Sequence, residues 1–239
     1  MNSIEGKTVL ITGASKGIGE ALACAFAAEG ANLCLHGRNA DALAALCKKL
    51  TDVRAEYIAA DLMDPAAPRE IVKGCAEKFG GIDILINSAG FMERTRVEDT
   101  SFESLDRHMK VNVYAPFFIC QEAIPYLKKS DVSAVFNMCS IVSTKAYENQ
   151  AAYTVTKHAL YGLTKVMSRE EYADGIRVYA VEPGLVSTKM SRAARPEVAL
   201  SDMTSPEDLA EWLVFMATHR NTAIVDEIVV RRPGKKAFE

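Results

Sequence analysis

The sequence predicts an α/β protein, a single doubly wound domain over residues 1–239 with a seven-stranded parallel sheet. Two observations support this fold class. Strand-like and helix-like segments alternate from one end of the chain to the other, which is typical of a parallel sheet covered by helices on both faces. No linker, internal repeat or low-complexity stretch divides the chain, so one domain is expected.

The predicted strands are short runs of apolar and β-branched residues, which suit strands buried on both faces. The first, Thr8–Thr12, is followed by a glycine turn and an alanine-rich helix that ends at Ala28, where Gly30 supplies a C-terminal cap. The other strands are predicted at residues 32–36, 53–59, 82–86, 134–139, 177–181 and 224–231.

Capping and breaking residues predict the helices between these strands. Asn39 caps a helix through residue 50, Pro65 lies in the first turn of a helix that stops at Gly80, and Pro206 opens a helix to residue 219. Longer helices are predicted over residues 102–128 and 151–172. In such a sheet the ligand lies outside the carboxyl ends of the strands, so the residues after each strand are expected to form one site.

The composition excludes several classes of function. The formal net charge of −3 gives no reason to expect nucleic acid or an anionic membrane as a partner. The six cysteines form no CxxC pair, and neither they nor the four histidines show metal-ligand spacing, so no metal is predicted. The sequence has no signal-peptide core and no apolar run of transmembrane length, and a cytoplasmic protein is expected.

The turn after the first strand is a predicted anion site. Gly13, Gly17 and Gly19 lie between the strand and the helix that contains Glu20 in its first turn. Free backbone N–H groups and the positive end of the helix dipole face the space over such a turn, and glycine lets a phosphate approach the backbone. The alternative is a turn that needs glycine for packing alone.

Two cations bear on the choice of cofactor. A dinucleotide site selects NAD with an acidic residue about 20 residues beyond the glycines, which binds the ribose 2′-hydroxyl. The matching stretch here has no acid; Arg38 follows the second strand, and Lys16 lies within the glycine turn. Both suit a 2′-phosphate, which predicts NADP(H) as the cofactor, and the alternative is that both are solvated surface charges.

Tyr153 and Lys157 are candidates for proton transfer. They are four residues apart in a predicted helix, so their side chains leave the same face. A nearby ammonium lowers the pKa of a phenol, and a tyrosine so tuned can exchange a proton with a carbonyl or alcohol oxygen. Ser140 ends the fifth strand and could hold the same substrate oxygen, and Asn112 interrupts the long helical pattern of residues 102–128.

The set Asn112, Ser140, Tyr153 and Lys157, in that order behind TGASKGIG and NSAG, resembles the short-chain dehydrogenase/reductase pattern across nearly the whole chain. The resemblance implies a Rossmann fold and an NADP(H)-dependent oxidoreductase that interconverts a carbonyl and a secondary alcohol. It implies a small-molecule substrate and a homo-oligomer, dimer or tetramer. Tyr153 would be the acid/base, Ser140 would orient the substrate, and Lys157 would bind the nicotinamide ribose and tune Tyr153. Asn112 would hold a water of the proton relay.

The resemblance also assigns cofactor-binding residues. Asp61 would bind the adenine edge, although it could equally cap the turn before Pro65. Residues 183–188 resemble the family's nicotinamide-side segment. The full set is Gly13, Ser15, Lys16, Gly17, Ile18, Gly19, Arg38, Asn39, Asp61, Leu62, Asn87, Ala89, Gly90, Tyr153, Lys157, Pro183, Gly184, Val186 and Thr188.

Other functions are weighed against this one. Within the enzyme class the alternative is a 3-oxoacyl-carrier-protein reductase, but the chain lacks the Asp-Gly-Gly segment with which those relatives end. A catalytically idle NADP(H)-sensing module would be free to lose Ser140 or Tyr153, and both are present. A sugar-nucleotide epimerase would be longer. An active oxidoreductase is therefore the favoured prediction.

Basic residues surround the expected substrate pocket. The segments after strands four, five and six contain six cations against Glu93 and Glu197, and the cations are Arg94, Arg96, Lys145, Lys189, Arg192 and Arg195. Long basic side chains on loops are usually just solvated. The functional alternative is that they steer a small anionic substrate, such as a keto or hydroxy acid, toward Ser140 and Tyr153.

Overall fold

The seven strands form one parallel sheet. The computed structural model describes residues 2–237; Met1, Phe238 and Glu239, at the ends of the predicted domain, lie outside the described residues. The strands are β1 (Thr8–Thr12), β2 (Asn32–Gly37), β3 (Ala55–Ala59), β4 (Ile84–Asn87), β5 (Ala134–Met138), β6 (Arg177–Pro183) and β7 (Glu227–Val230). Their order is β3-β2-β1-β4-β5-β6-β7, and every pair is parallel. The predicted fold class is confirmed.

Helices cover both faces of this sheet. They are α1 (Ile18–Ala28), α2 (Ala40–Lys49), α3 (Ala67–Phe79), α4 (Phe102–Met109), α5 (Ala115–Leu127), α6 (Ala151–Glu170), α7 (Lys189–Ala194) and α8 (Pro206–Thr218). Within β1, Val9 and Ile11 pack in the core shared with α1, α2 and α8, while Leu10 packs in the core shared with α3, α5 and α6. This alternation explains why β1 is apolar throughout. None of the described helices is long and apolar enough to cross a bilayer.

The predicted helix over residues 102–128 is not continuous. A π-helical turn, Lys110–Tyr114, separates α4 from α5 and contains the buried Asn112. Several other boundaries differ from the prediction by one to three residues, because a strand extends only as far as it pairs with its neighbours: β3 begins at Ala55 and not at residue 53, β4 covers Ile84–Asn87 and not 82–86, and β7 covers Glu227–Val230 and not 224–231. Pro65 lies before α3 and not in its first turn, because the Asp64 carboxylate accepts a hydrogen bond from the Ala66 N–H at 2.9 Å and forms a separate turn there. The proline in the first turn of α3 is Pro68. The short helix α7 was not predicted.

The sheet has one topological switch point. From β1 the chain continues through β2 and β3 to one side, and it returns to pair β4 with β1 on the other. Thr12 and Asn87, the last residues of β1 and β4, are register partners. In open α/β sheets ligands bind at such a switch point, outside the carboxyl ends of the strands.

Candidate active site

The glycine turn after β1 is shaped by its own packing. Gly13 has φ +71°, and a Cβ there would lie 2.8 Å from Ala89 Cα. A Cβ on Gly19 would lie 2.3 Å from the Gly13 carbonyl oxygen. Both glycines are therefore required by the protein's own backbone, whether or not a ligand is bound.

The same turn leaves donors free for an anion. Gly17 is the N-cap of α1 and supplies no side-chain cap, whereas Asn39, Ser101 and Ser205 cap α2, α4 and α8. Among the described residues, no carbonyl or side chain accepts a hydrogen bond from the N–H groups of residues 15–19, which include Ser15, Lys16 and Ile18. Unpaired N–H groups at a helix N-terminus attract phosphate, so this turn fits the pyrophosphate of a dinucleotide.

Thr12 joins this turn to the loop after β4. Its hydroxyl accepts a hydrogen bond from the Ala89 N–H at 3.1 Å. The Asn87 side chain points into the protein and donates to the Asn137 side-chain oxygen at 2.9 Å. Gly90 lies against Asn112, whose side-chain oxygen would be 3.8 Å from a Cβ at that position.

The residues predicted at the adenine ribose lie together after β2 and β3. The exposed Arg38 guanidinium is 3.8 Å from the Asp61 carboxylate, too far for a hydrogen bond. Asp61 also accepts from the Met63 N–H at 3.1 Å, so its turn-capping role is observed. Asn39 caps α2 through the Ala42 N–H at 3.0 Å, and Leu62 is buried in the core. Side chains of Asn39 and Leu62 are thus engaged by the protein.

The predicted nicotinamide-side segment follows β6. β6 ends at Pro183, and the Gly184 N–H donates to the Val230 carbonyl at 2.8 Å. Val186 is buried, and Thr188 caps α7. The Thr188 methyl would be 3.2 Å from a Cβ on Gly17. This segment therefore lies beside the glycine turn, as the resemblance implies for residues that share one cofactor.

Ser140, Tyr153 and Lys157 lie together beside β5. Ser140 follows the strand and caps a 3₁₀ turn, Ile141–Ser143, through the Val142 N–H at 3.4 Å. The Lys157 ammonium donates to the Met138 carbonyl at 2.5 Å and lies 5.6 Å from the Tyr153 ring centroid. Helix α6 thus holds the phenol and the ammonium against the end of β5.

The expected lowering of the Tyr153 pKa is not found. Burial raises the pKa of Tyr153 to about 12, and the Ser140 hydroxyl, which acts in the opposite direction, does not offset it. Burial also lowers the pKa of Lys157 to about 8. The physical reason is that surrounding atoms disfavour both charged forms, while the ammonium is held by the Met138 carbonyl. Spacing on the helix predicts a shared face but not this desolvation.

Asn112 connects the loop after β4 to α6. Its side-chain oxygen accepts from the Phe91 N–H at 2.8 Å, and its amide donates to the Phe91 carbonyl at 2.8 Å and to the Thr156 hydroxyl at 3.1 Å. Thr156 in turn donates to the Tyr153 carbonyl at 2.9 Å. Both amide hydrogens are therefore used within the protein, so a water relay through this side chain would have to use its oxygen.

Three contributors to the site were not singled out from the sequence: Thr12, Thr156 and the Met138 carbonyl. Threonine in a strand or a helix carries no local signal that its hydroxyl is used at a distance, since its β-branched side chain serves packing equally well. A backbone carbonyl carries none at all. Only the pairing of β1 with β4, and the packing of α6 on β5, brings these groups to the site.

The six cations around the expected substrate pocket, termed the basic rim, make more contacts within the protein than predicted. Arg96 and Arg195 form ion pairs with Glu98 and Glu197. The Arg94 guanidinium donates to the Ala194 carbonyl at 2.7 Å and so joins the loop after β4 to α7. Arg192 donates to the Thr188 carbonyl at 3.4 Å. Lys145 and Lys189 are exposed. Arg94, Arg192 and these two lysines form no ion pair among residues 2–237.

Comparisons with known proteins show which family the chain resembles. A profile of the family described as short chain dehydrogenase matches residues 7–199. A curated protein of Staphylococcus aureus (strain N315), described as an uncharacterized oxidoreductase, is 30% identical over 233 residues, which cover 97% of this chain and 99% of that protein.

Two solved structures are similar over nearly their full length. The alcohol dehydrogenase of the archaeon Thermococcus sibiricus, complexed with 5-hydroxy-NADP, has a TM-score of 0.90 at 27% identity, with 97% of this chain and 99% of that chain covered. The L-sorbose reductase of Gluconobacter frateurii, complexed with NADPH and L-sorbose, has a TM-score of 0.87 at 28% identity, with 95% of each chain covered.

Proposed function

The chain belongs to the short-chain dehydrogenase family, and from this membership we propose that it is an NADP(H)-dependent oxidoreductase that interconverts a carbonyl and a secondary alcohol. We propose one catalytic domain over residues 1–239. The observation that carries the proposal is the group of Ser140, Tyr153 and Lys157 beside β5, at the same edge of the sheet as the uncapped helix start at Gly17.

The proposed chemistry assigns one role to each side chain. When bound, NADP(H) supplies or accepts the hydride. The Tyr153 phenol gives its proton to the carbonyl oxygen in reduction, and its phenolate takes a proton from the alcohol in oxidation. The Ser140 hydroxyl orients that oxygen. The Lys157 ammonium, held by the Met138 carbonyl at 2.5 Å, places a positive charge 5.6 Å from the phenol ring.

Two features support NADP(H) over NAD(H). Arg38 follows β2, where an NAD-selecting acid would stand, and its guanidinium is exposed and not hydrogen-bonded to Asp61. Lys16 is exposed in the glycine turn. The L-sorbose reductase and the Thermococcus alcohol dehydrogenase were solved with NADPH and 5-hydroxy-NADP, respectively.

Assembly and compartment complete the proposal. We expect a homo-oligomer, dimer or tetramer, because Phe102, Phe117 and Phe118 on α4 and α5 expose large aromatic surface. We expect a cytoplasmic location because the six cysteines are all unpaired.

A substrate screen tests the function directly. Purified protein is incubated with NADPH and keto-esters, ketoses, quinones or keto acids, and with NADP⁺ and hydroxy acids, while absorbance follows the cofactor. An oxidoreductase turns over at least one class. If NADPH binds but no class is turned over, the idle sensing module becomes the better explanation.

The raised pKa of Tyr153 predicts different pH profiles for the two directions. With a pKa of about 12, the phenol is protonated at neutral pH and its phenolate fraction grows with pH. We expect kcat/KM for alcohol oxidation to rise about tenfold per pH unit between about pH 7 and 9, with no such rise for carbonyl reduction. Because oxidation releases one proton, the ratio of the two directions rises about tenfold per pH unit whatever the pKa of Tyr153, so the pH at which the oxidation profile levels off is the informative quantity. Loss of the Lys157 charge, at a pKa of about 8, would bend both profiles at the same pH and can be recognised by that. An oxidation plateau already reached at neutral pH would contradict the raised pKa.

The basic rim predicts an anionic substrate. Arg94, Lys145, Lys189 and Arg192 form no ion pair with a carboxylate among the described residues, although Arg94 lies close enough to Glu197 to lower the pKa of that carboxyl and two of the four bind backbone carbonyls. Steering by exposed charges is screened by salt. We expect kcat/KM for a keto acid to fall about threefold between about 20 and 300 mM salt, while its neutral ester is little affected. An equal response of acid and ester would leave the rim without a steering role.

A further inference from the structure

His108 is a buried imidazole with a hydrogen-bond partner at each ring nitrogen. It lies in the last turn of α4 and is fully excluded from solvent. Nε2 accepts a hydrogen bond from the Glu93 N–H at 3.1 Å, and Nδ1 lies 2.7 Å from the Ser104 carbonyl oxygen. Because an N–H can only donate and a carbonyl can only accept, these contacts require a neutral ring with its proton on Nδ1.

The contacts of His108 fall on the loop after β4, residues 91–96, termed the 91–96 loop. The Phe91 ring packs against the His108 ring at 4.5 Å between centroids, and the Arg107 guanidinium lies 4.0 Å over the Phe91 ring. Asn112 binds both backbone groups of Phe91. Residues of α4 and of the π-helical turn therefore both contact the start of this loop and fix its position.

The 91–96 loop borders the proposed catalytic helix and the rim. The Ala151 N–H, two residues before Tyr153, donates to the Thr95 carbonyl at 3.5 Å. Arg94 reaches the Ala194 carbonyl at the end of α7. A displacement of the loop would therefore break or lengthen its hydrogen bonds to the start of α6 and to α7.

We propose that His108 is a positioning residue that holds the 91–96 loop as one wall of the substrate site while it is neutral, and releases it when protonated. A protonated Nε2 would be a donor facing the Glu93 N–H donor, so that hydrogen bond is lost. The consequence for catalysis rests on the proposed function. The contact with the loop does not.

The sign of the pH effect follows from the surroundings. Burial is the largest influence on the pKa of His108 and lowers it; the hydrogen bond to the Ser104 carbonyl and the Glu93 carboxylate raise it, and the Arg107 guanidinium lowers it. A released loop would return the ring toward its ordinary pKa of about 6.5. Protons therefore favour the released state, and the hold on the loop weakens as pH falls below about 6.5.

Two variants separate the contact from general packing. In His108→Gln the side-chain oxygen can accept from the Glu93 N–H but cannot be protonated, and in His108→Leu the acceptor is lost. His158→Gln is the matched control, because His158 makes the same contact with a carbonyl four residues earlier, Thr154 at 3.0 Å, but is exposed. All proteins are full-length, and they are free of ligand in the hydrogen-exchange measurements.

Hydrogen exchange of peptides that cover residues 91–96 gives the first readout. At about pH 7.5 we expect exchange about tenfold faster in His108→Leu than in wild type, with His108→Gln and His158→Gln near wild type. At about pH 5.5, after correction for intrinsic rates, we expect wild type to exchange about fivefold faster than His108→Gln. Equal pH responses of wild type and His108→Gln would overturn the proposal, even if His108→Leu failed to fold.

Kinetics on a substrate found in the screen give the second readout. We expect His108→Leu to raise KM more than it lowers kcat, and His108→Gln to restore KM and to remove the loss of kcat/KM below about pH 6.5. An unchanged KM in His108→Leu would overturn the positioning role and leave the proposed function standing. A wild-type protein that turns over nothing but shows the predicted exchange would refute the function and leave the contact supported.

Discussion

Replacing Tyr153 by phenylalanine is expected to lower kcat by about 10²- to 10⁴-fold, the usual range for loss of an acid/base group. NADPH affinity should stay close to that of wild type, because the ring remains and only the phenol oxygen is removed. The Tyr153 phenol lies beside Ser140, and the distance from its ring centroid to the Lys157 ammonium is 5.6 Å. Proton transfer to a substrate oxygen needs this arrangement. Steady-state kinetics and a fluorescence titration with NADPH measure the two quantities.

Tyr161→Phe is the matched control for this variant. Tyr161 lies two turns further along α6, and its phenol donates to the Glu227 carboxylate at 2.5 Å. The control loses the same atom from the same helix and should keep wild-type kcat. If Tyr153→Phe kept more than about a hundredth of the activity, a different group would have to be the proton donor.

Replacing Arg38 by aspartate is expected to lower the ratio of NADPH to NADH affinity by about ten- to a hundredfold. The change removes a cation that can bind a phosphate bidentately and places an acid after β2, where a carboxylate binds the ribose 2′-hydroxyl. Wild type should bind NADPH at least about tenfold more tightly than NADH. Titration of each protein with both cofactors measures the ratio.

Arg169→Asp controls for the change in net charge. Arg169 is an exposed arginine in the last turn of α6, away from β2, so its replacement alters the formal charge equally without touching the proposed phosphate site. The control should leave the ratio of affinities unchanged. Equal binding of NADPH and NADH by wild type, or an unaltered ratio in Arg38→Asp, would contradict NADP(H) preference.

Much of the fold could be predicted because its signals are local. Apolar runs such as Thr8–Thr12, the alternation of strands and helices, and the caps at Asn39 and Pro206 all act within a few residues. They identified every strand of the sheet, with errors at the ends. Pro65 shows the limit of such signals. It was predicted in the first turn of a helix, but the Asp64 carboxylate accepts from the Ala66 N–H and holds Pro65 in a turn before α3.

The candidate site divides in the same way. The Tyr153–Lys157 spacing determines a shared helix face, and the glycines determine a turn with free N–H groups. Whether Thr12 meets Ala89, 77 residues away in the chain, depends on the pairing of β1 with β4. No local pattern specifies that pairing.

The sequence by itself therefore determined the alternation of elements, the glycine turn and the order of the chemical groups along the chain. The tertiary structure alone decided the electrostatics of Tyr153 and the role of His108. A pKa depends on the surroundings of a group in the folded protein, and the pKa of the half-buried Tyr153 is raised by desolvation, which the Ser140 hydroxyl beyond β5 only partly opposes. His108 is one of four histidines in the sequence, and only the packing of α4 against the 91–96 loop gives its two nitrogens different partners.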